Sequence, residues 1–392
     1  MSRWPMKPLG EVAQLFGGST PLRDAPEFWG GEILWATPSD LPAAEEGVSR
    51  LSTTRNRITK AGLDNSSAAV VPAGAVLFSS RATIGKVAVA EVPLATNQGF
   101  ANLVPTSCVT SRFLAYSVWF LRDEIARLAG STTFKEVSRS ALRKFEVPVP
   151  PLPEQERLVR ILDEADALRK LRAQADQRTA TLISALFHEV FGDPEQTQLQ
   201  VKPLAELVDP DRPITYGILK PGPNIEGGVP YVRVVDIKKN RLHVDQLHRT
   251  TREIAAQYER STIQPGDVLV TIRGTVGRTC VVPDELRGAN VTQDTARVSP
   301  AYGVMGTYVV EFLNTPWAQS WMEHHMVGQS VKGLNLGDLK KLRVPVPPLP
   351  LQREFAARVA EVRAMEAAQA ESRQRLDALF QSLLHRAFAG EL

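Results

Sequence analysis

Cysteine, histidine and long apolar runs are scarce in this chain, and each scarcity removes a class of protein. Cys108 and Cys280 are the only cysteines among 392 residues. With no CxxC pair between them they build neither a disulfide framework nor a thiolate zinc site, and they suit two thiols in a reducing compartment. The six histidines include the adjacent pair His324 and His325, and His243 and His248 five positions apart. None has the i, i+4 spacing and companion glutamate of a helical metal site, so no metal is expected. No run of 18 apolar residues offers a membrane span, and the opening MSRWPMKPLGEVAQLF lacks the apolar stretch of a secretion signal. A cytoplasmic location and no membrane partner are therefore expected. Net charge is only +3, so overall charge does not by itself argue for nucleic acid.

Signatures of catalysis are missing as well. IGK at 84–86 lacks both the upstream glycine and the following hydroxyl residue of a phosphate loop. There is no GxSxG elbow and no Asn-Pro-Pro-aromatic or Asp-Pro-Pro-aromatic tetrad of the amino-methylating enzymes. The expectation is a binder with no catalytic residues and no cofactor of its own.

What the chain does have is itself, written twice. VPVPPLP occupies 147–153 and again 344–350, and a shift of 197 positions also pairs Leu142 with Leu339 and Gln155 with Gln352. A chain of this length exceeds the ~250 to 300 residues at which single cores stop growing. Two similar halves meet that limit: globular segments at 1–146 and 193–343, each followed by a Pro-rich entry into a helix, at 147–192 and 344–392. Of the 46 lysines and arginines, 34 lie in the two globular segments.

The globular segments alternate short β-like runs with turn residues. AVLFSS (75–80) and KVAVAEV (86–92) in the first answer to DVLVTI (267–272) and RTCVVP (278–283) in the second, which also has VPYVRVVDI (229–237). After the first Pro-rich element, Ile161, Ala165, Leu168, Arg172, Ala175, Thr179, Leu182 and Leu186 alternate spacings of four and three, the seam of a coiled coil. Val362, Met365, Leu376, Leu379 and Leu383 take that role in the second copy. Neither glycine nor proline interrupts the first helix from Glu154 to Phe191, a rod on the order of 57 Å at ~1.5 Å per residue. The prolines block helix and displace its starts to Glu154 and Leu351, acting as a stiff hinge, with a PxxP ligand for a partner's aromatic groove as the alternative.

Three matched groups can carry recognition. SSRATIGK (79–86) and TIRGTVGR (271–278) set Arg81, Thr83 and Lys86, and then Arg273, Thr275 and Arg278, on tight strand-to-strand turns. Such turns lay cations against phosphates or base edges, or are hairpins with solvated charges. Asn97 and Gln98, matched by Thr292 and Gln293, offer amides that can read adenine, although the same residues are common in exposed turns. Lys135 and Lys332 sit in matched polar segments leading into short helices, either phosphate contacts or plain helix caps.

The ordered duplicate resembles the specificity subunit of type I restriction-modification systems, over nearly the whole chain: KPLGEVA and GGSTP opening the first segment, PVPPLPEQ, a second segment, then PVPPLPLQ. The resemblance implies an α+β fold, with two similar strand-rich target recognition domains separated and joined by two long helices forming an antiparallel coiled coil. It implies a non-catalytic subunit that reads a bipartite target on double-stranded DNA. Two methyltransferase subunits would bind the outer faces of the helices, and restriction motor-nuclease subunits would complete the assembly. S-adenosylmethionine, Mg and ATP would belong to those partners alone. Leu351 and Arg353 depart from the Glu154, Gln155, Glu156 pattern, which implies unlike partner contacts at the two helix entries. The alternatives are a methylation-only or phage-defence complex, a separated recognition half of a single-chain methylating nuclease, and a coiled-coil scaffold that reads no DNA.

Overall fold

The computed structural model describes residues 3–130, 135–238, 240–328 and 332–392. It divides into two compact units, one of residues 1–173 with 371–392 and the other of residues 174–370. Each unit holds one globular segment and part of each long helix.

In the first unit five strands lie in the order Ala13–Gly17, Phe100–Pro105, Val76–Ser79, Val87–Ala90, Val48–Leu51. All neighbours are antiparallel except the last pair. A smaller sheet joins Asn56–Ile58, Trp29–Ala36 and Ala95–Thr96. The second unit repeats this with Thr215–Tyr216, Thr295–Val298, Val268–Thr271 and Thr279–Val281, and with His248–Thr250, Val229–Val232 and Asn290–Val291. The runs AVLFSS, KVAVAEV and DVLVTI thus form interior strands of their sheets, buried on both faces, which is why they read as continuous apolar stretches rather than alternating ones.

The Pro-rich element is a strand and not only a hinge. Glu146–Pro148 pairs antiparallel with Met6–Pro8, and Arg343–Pro345 with Val201–Pro203, so each globular segment is closed by its own two ends. Proline survives there because these are two-stranded ribbons whose outer edges need no donor. The helices begin at Leu152 and Leu349, two residues before the expected starts, because Pro153 and Pro350 fit the first turn, where their missing N–H costs nothing.

Gln155 is fully buried and answers why it is duplicated. Its Oε1 accepts from Thr110 N at 2.9 Å, while Nε2 donates to Cys108 O at 2.9 Å and Pro150 O at 2.8 Å. Gln352 repeats the clamp on Met305 N (2.8 Å), Gly303 O (3.2 Å) and Pro347 O (2.8 Å). Each amide ties the start of a long helix to the loop before the domain's main covering helix, Ser111–Phe120 or Gly306–Leu313.

The central helix is two pieces, Leu152–Thr179 and Leu182–Phe191. Between them the Thr179 and Thr181 hydroxyls donate to the Ala175 and Arg178 carbonyls, competition that bends helices without any proline or glycine. In the first unit Arg169 pairs with Asp377 at 2.7 Å and Arg157 donates to the Leu392 carbonyl. In the second, Phe191 packs on Phe355 at 4.9 Å and Arg358 reaches Glu189 at 3.6 Å. Partners recede on one helix as they advance on the other, so the pairing is antiparallel.

The seam does not run where its heptad count put it. Leu168, Leu182, Met365 and Leu379 are 52%, 40%, 40% and 50% exposed, while Leu158, Leu162, Phe187, Phe355, Val359, Phe380 and Leu384 are buried. Ala165 is buried as expected; Ile161, Leu186, Val362, Leu376 and Leu383 are only partly so. The physical reason is a third party. Trp119 meets Phe380 at 5.9 Å and Phe113 meets Phe388 at 5.5 Å, so the helices bury one stripe jointly against each other and against a globular core, and that stripe lies beside the counted seam.

Candidate nucleic-acid interface

In each unit a turn, a reading loop, a short 3-10 helix and one further strand-like segment converge on a cleft. The turn of the first unit is organised by Ser79, whose hydroxyl donates to Thr83 O (2.6 Å) and accepts from Lys86 N (2.8 Å). Thr271 does the same with Thr275 O (2.5 Å) and Arg278 N (2.9 Å). Both turns demand a left-handed residue after the first arginine: Gly274 supplies it at φ +73°, and Ala82 is forced into it at φ +63°.

Those turns carry the expected residues to the cleft unevenly. Arg81 lines the first cleft and Arg273 and Thr275 the second. Thr83 is exposed on the turn without lining the first cleft. Arg81 stands 3.7 Å from Glu136, both side chains being over 40% exposed, and Arg273 has no ion pair among the described residues. Lys86 and Arg278 are occupied. Lys86 Nζ donates to the Pro38 and Leu41 carbonyls, each at 2.9 Å, and Arg278 to those of Val234 (3.3 Å) and Ile237 (3.0 Å). Both cations neutralise the carbonyl end of a 3-10 helix, Pro38–Asp40 or Val234–Asp236, so their matching has an architectural cause.

Lys135 and Lys332 are exposed and flank the turns. Ala82 N donates to Lys135 O at 3.4 Å, Val137 N to Ser80 O at 2.9 Å, and Leu334 N to Ile272 O at 2.8 Å. Residues 131–134 and 329–331 of these segments lie outside the described residues. Asn97 and Gln98 line the first cleft, the Asn97 carbonyl oxygen accepting from Gly99 N at 2.9 Å and Gln98 from Thr20 at 2.5 Å. Gln293 lines a smaller cleft beside the second one, along with Tyr231 and Arg233. Glycine is required where an earlier strand end passes these loops: a Cβ at Gly18 would lie 2.1 Å from Asn97 O, and one at Gly217 1.9 Å from Val291 O. Those approaches fix the loops rigidly.

The first cleft encloses about 750 Å³ and the second about 720 Å³. Arg23, Trp29, Thr37, Ser39 and Asn56 in the first, and Val235, Asp294 and Asn335 in the second, are cleft residues that sequence reasoning missed. Trp29 stands edge-on to Trp35 at 5.1 Å. Only Arg23 among them carried a usable signal, as a cation shortly after GGSTP. Polar, partly exposed walls with arginine and amide groups can bond phosphates and the base edges of a groove.

Residues 1–178 and 218–372 match the family model described as "Type I restriction modification DNA specificity domain". The chain belongs to that family. Members of it similar to this chain include the type I restriction enzyme EcoBI specificity subunit of Escherichia coli, 30% identical over 313 residues, 72% of this chain and 65% of that protein. The MjaIX specificity subunit of Methanocaldococcus jannaschii is 33% identical over 192 residues, 48% of this chain and 44% of its own. The chain therefore spans about two thirds or less of the length of these relatives. Its fold is also that of two solved chains. One, from a study of type I R-M complex assembly and conformational transition, has TM-score 0.62 and 20% identity, covering 99% of this chain and 98% of that one. The other, the S subunit of a type I system from M. genitalium, has TM-score 0.58 and 16% identity over 99% and 96%. The two strand-rich segments and paired helices of this specificity-domain protein are thus the architecture of its family. Among the described residues no helix is long and apolar enough to cross a membrane.

Proposed function

We propose that this chain is the specificity subunit of a type I restriction-modification complex. Each globular segment reads one half of a bipartite sequence on double-stranded DNA, and partner subunits perform adenine methylation and restriction. The observation that carries this reading is the cleft built twice from the same parts, each with an arginine turn, a reading loop and a flanking lysine. Arg81, Asn97, Gln98 and Lys135 serve the first half-site, and Arg273, Thr275, Gln293 and Lys332 the second.

Two methyltransferase subunits are the partners of the long helices. Leu168, Leu171, Leu182, Met365 and Leu379 leave apolar surface on helix faces turned from the core, which supports a protein partner. S-adenosylmethionine, Mg and ATP belong to the partner subunits, the chain itself acts without catalytic groups, and the complex works in the cytoplasm. Replacing residues 1–146 with those of a relative of different target tests the reading: one half-site changes and the other stays. If neither changes, the segments are not the readers. A scaffold without DNA contact would also lack a steep fall of DNA affinity with salt.

A further inference from the structure

The two clefts share their plan and differ at one wall. The loop bearing Asn97 and Gln98 runs on to Gly99, and the loop bearing Gln293 runs on to Asp294. The positions are equivalent, since the Gly99 carbonyl accepts from Ser80 N at 2.9 Å and the Asp294 carbonyl from Ile272 N at 2.8 Å. In the first cleft no side chain fits there: a Cβ on Gly99 would stand 2.9 Å from Pro38 Cγ and 3.0 Å from Asn97 Oδ1. In the second, Val234 replaces that proline, and Asp294, half-buried, lines both this cleft and the smaller one beside it. Among the described residues its side chain has no ion pair and no hydrogen bond. Its backbone is held by the turn, so the carboxylate stands on a fixed support.

A free carboxylate on a surface offered to a polyanion weakens binding unless the ligand gives it a proton to accept. Ionised aspartate is an acceptor only. In the major groove guanine and thymine present acceptors, whereas cytosine presents its N4 amino group and adenine its N6 amino group. We infer that Asp294 reads the exocyclic amino group of a cytosine or adenine at one position of the second half-site. The first segment makes no equivalent contact. The inference rests on the proposed function, and deepens it by naming the chemistry of one contacted base.

The test is selection of bound sequences from a random duplex library by the full chain, the D294N variant and the D294S variant. The unmodified chain selects a two-part sequence with cytosine or adenine fixed at the position concerned, which base it is being read from the selected pool. Asn has a donor of its own and accepts the keto bases but also holds adenine through N6 and N7, so a cytosine preference at that one position falls roughly 5- to 150-fold in D294N and an adenine preference falls as much in D294S, the rest of the sequence being kept. The other positions of the second half-site, still selected, show that the second unit of each variant is folded. A second half-site unchanged in D294S overturns the assignment of Asp294, as does loss of the whole second half-site in both variants, which would make the residue structural. If the unmodified chain selects no two-part sequence, the recognition reading itself fails, and this inference with it.

Discussion

Replacing Gln155 with alanine removes three hydrogen bonds from a fully buried site at once. Thr110 N–H and the carbonyls of Cys108 and Pro150 all lose their partner. A buried polar group left unpaired costs about 1 to 3 kcal/mol, and the missing side chain leaves a small cavity. Each carbonyl has a second lone pair, so the total lies toward the low end, about 3 to 5 kcal/mol. That is a large share of the ~5 to 15 kcal/mol that holds a typical protein folded, and for a unit of this size it lowers Tm by roughly 10 °C. Q352A strikes the same clamp in the second unit and should cost a similar amount. Q155E sharpens the test. A carboxylate still accepts from Thr110 N but faces two carbonyls as an acceptor, so burial and those oxygens raise its pKa in the folded state above the unfolded value. Stability lost at neutral pH should then return in part as pH falls through the folded-state pKa. Thermal and denaturant unfolding of each variant, with near-ultraviolet dichroism to confirm the native fold, measures the effect. A Q155A penalty below about 1 kcal/mol, or a Q155E stability independent of pH between 4 and 8, would refute the reasoning.

Alanine at Arg81 or Arg273 should weaken binding of the selected target by about 1 to 3 kcal/mol if the side chain reads a base; equal losses on target and random duplex would assign it to phosphate. K86A and R278A should instead lower stability by about 1.5 to 3 kcal/mol, the worth of hydrogen bonds to a charged donor, and leave the selected sequence as it was; an altered half-site would contradict their placement. A82G should stabilise the first unit by about 0.5 to 1 kcal/mol by relieving a left-handed alanine, and a destabilised variant would show that the turn carries no such strain. Burial pushes the Cys280 thiol up to about 12, so iodoacetamide at pH 8 should leave it unmodified until the second unit unfolds; rapid native alkylation would place it at the surface.

The duplication, the strands and the long helices were legible because repetition, apolar runs and heptad spacing are properties of the chain itself, while the antiparallel pairing was implied by the family resemblance. The seam was not. Phe380 is buried by Trp119, which arrives from a globular segment, and no count along a helix reveals a partner so distant in sequence. Matched cations marked the right turns but mixed two roles. Arg81 and Arg273 sit at the clefts, whereas Lys86 and Arg278 are consumed by carbonyls of 3-10 helices more than 35 positions away. Trp29 and Asn56 reach the first cleft from a small sheet whose strands pair across long loops, and Asp294 stands where its counterpart is glycine, so duplication could not flag it.

The account stands or falls on sequence-specific recognition by two readers. Co-expression of this chain with the methyltransferase subunit encoded beside it, in a host free of methylation, followed by sequencing for modified adenine, measures that directly. A two-part motif with a fixed gap, absent when this chain is omitted, is the predicted result. An intact assembled complex that leaves no modified adenine, or modifies it without regard to sequence, would contradict it.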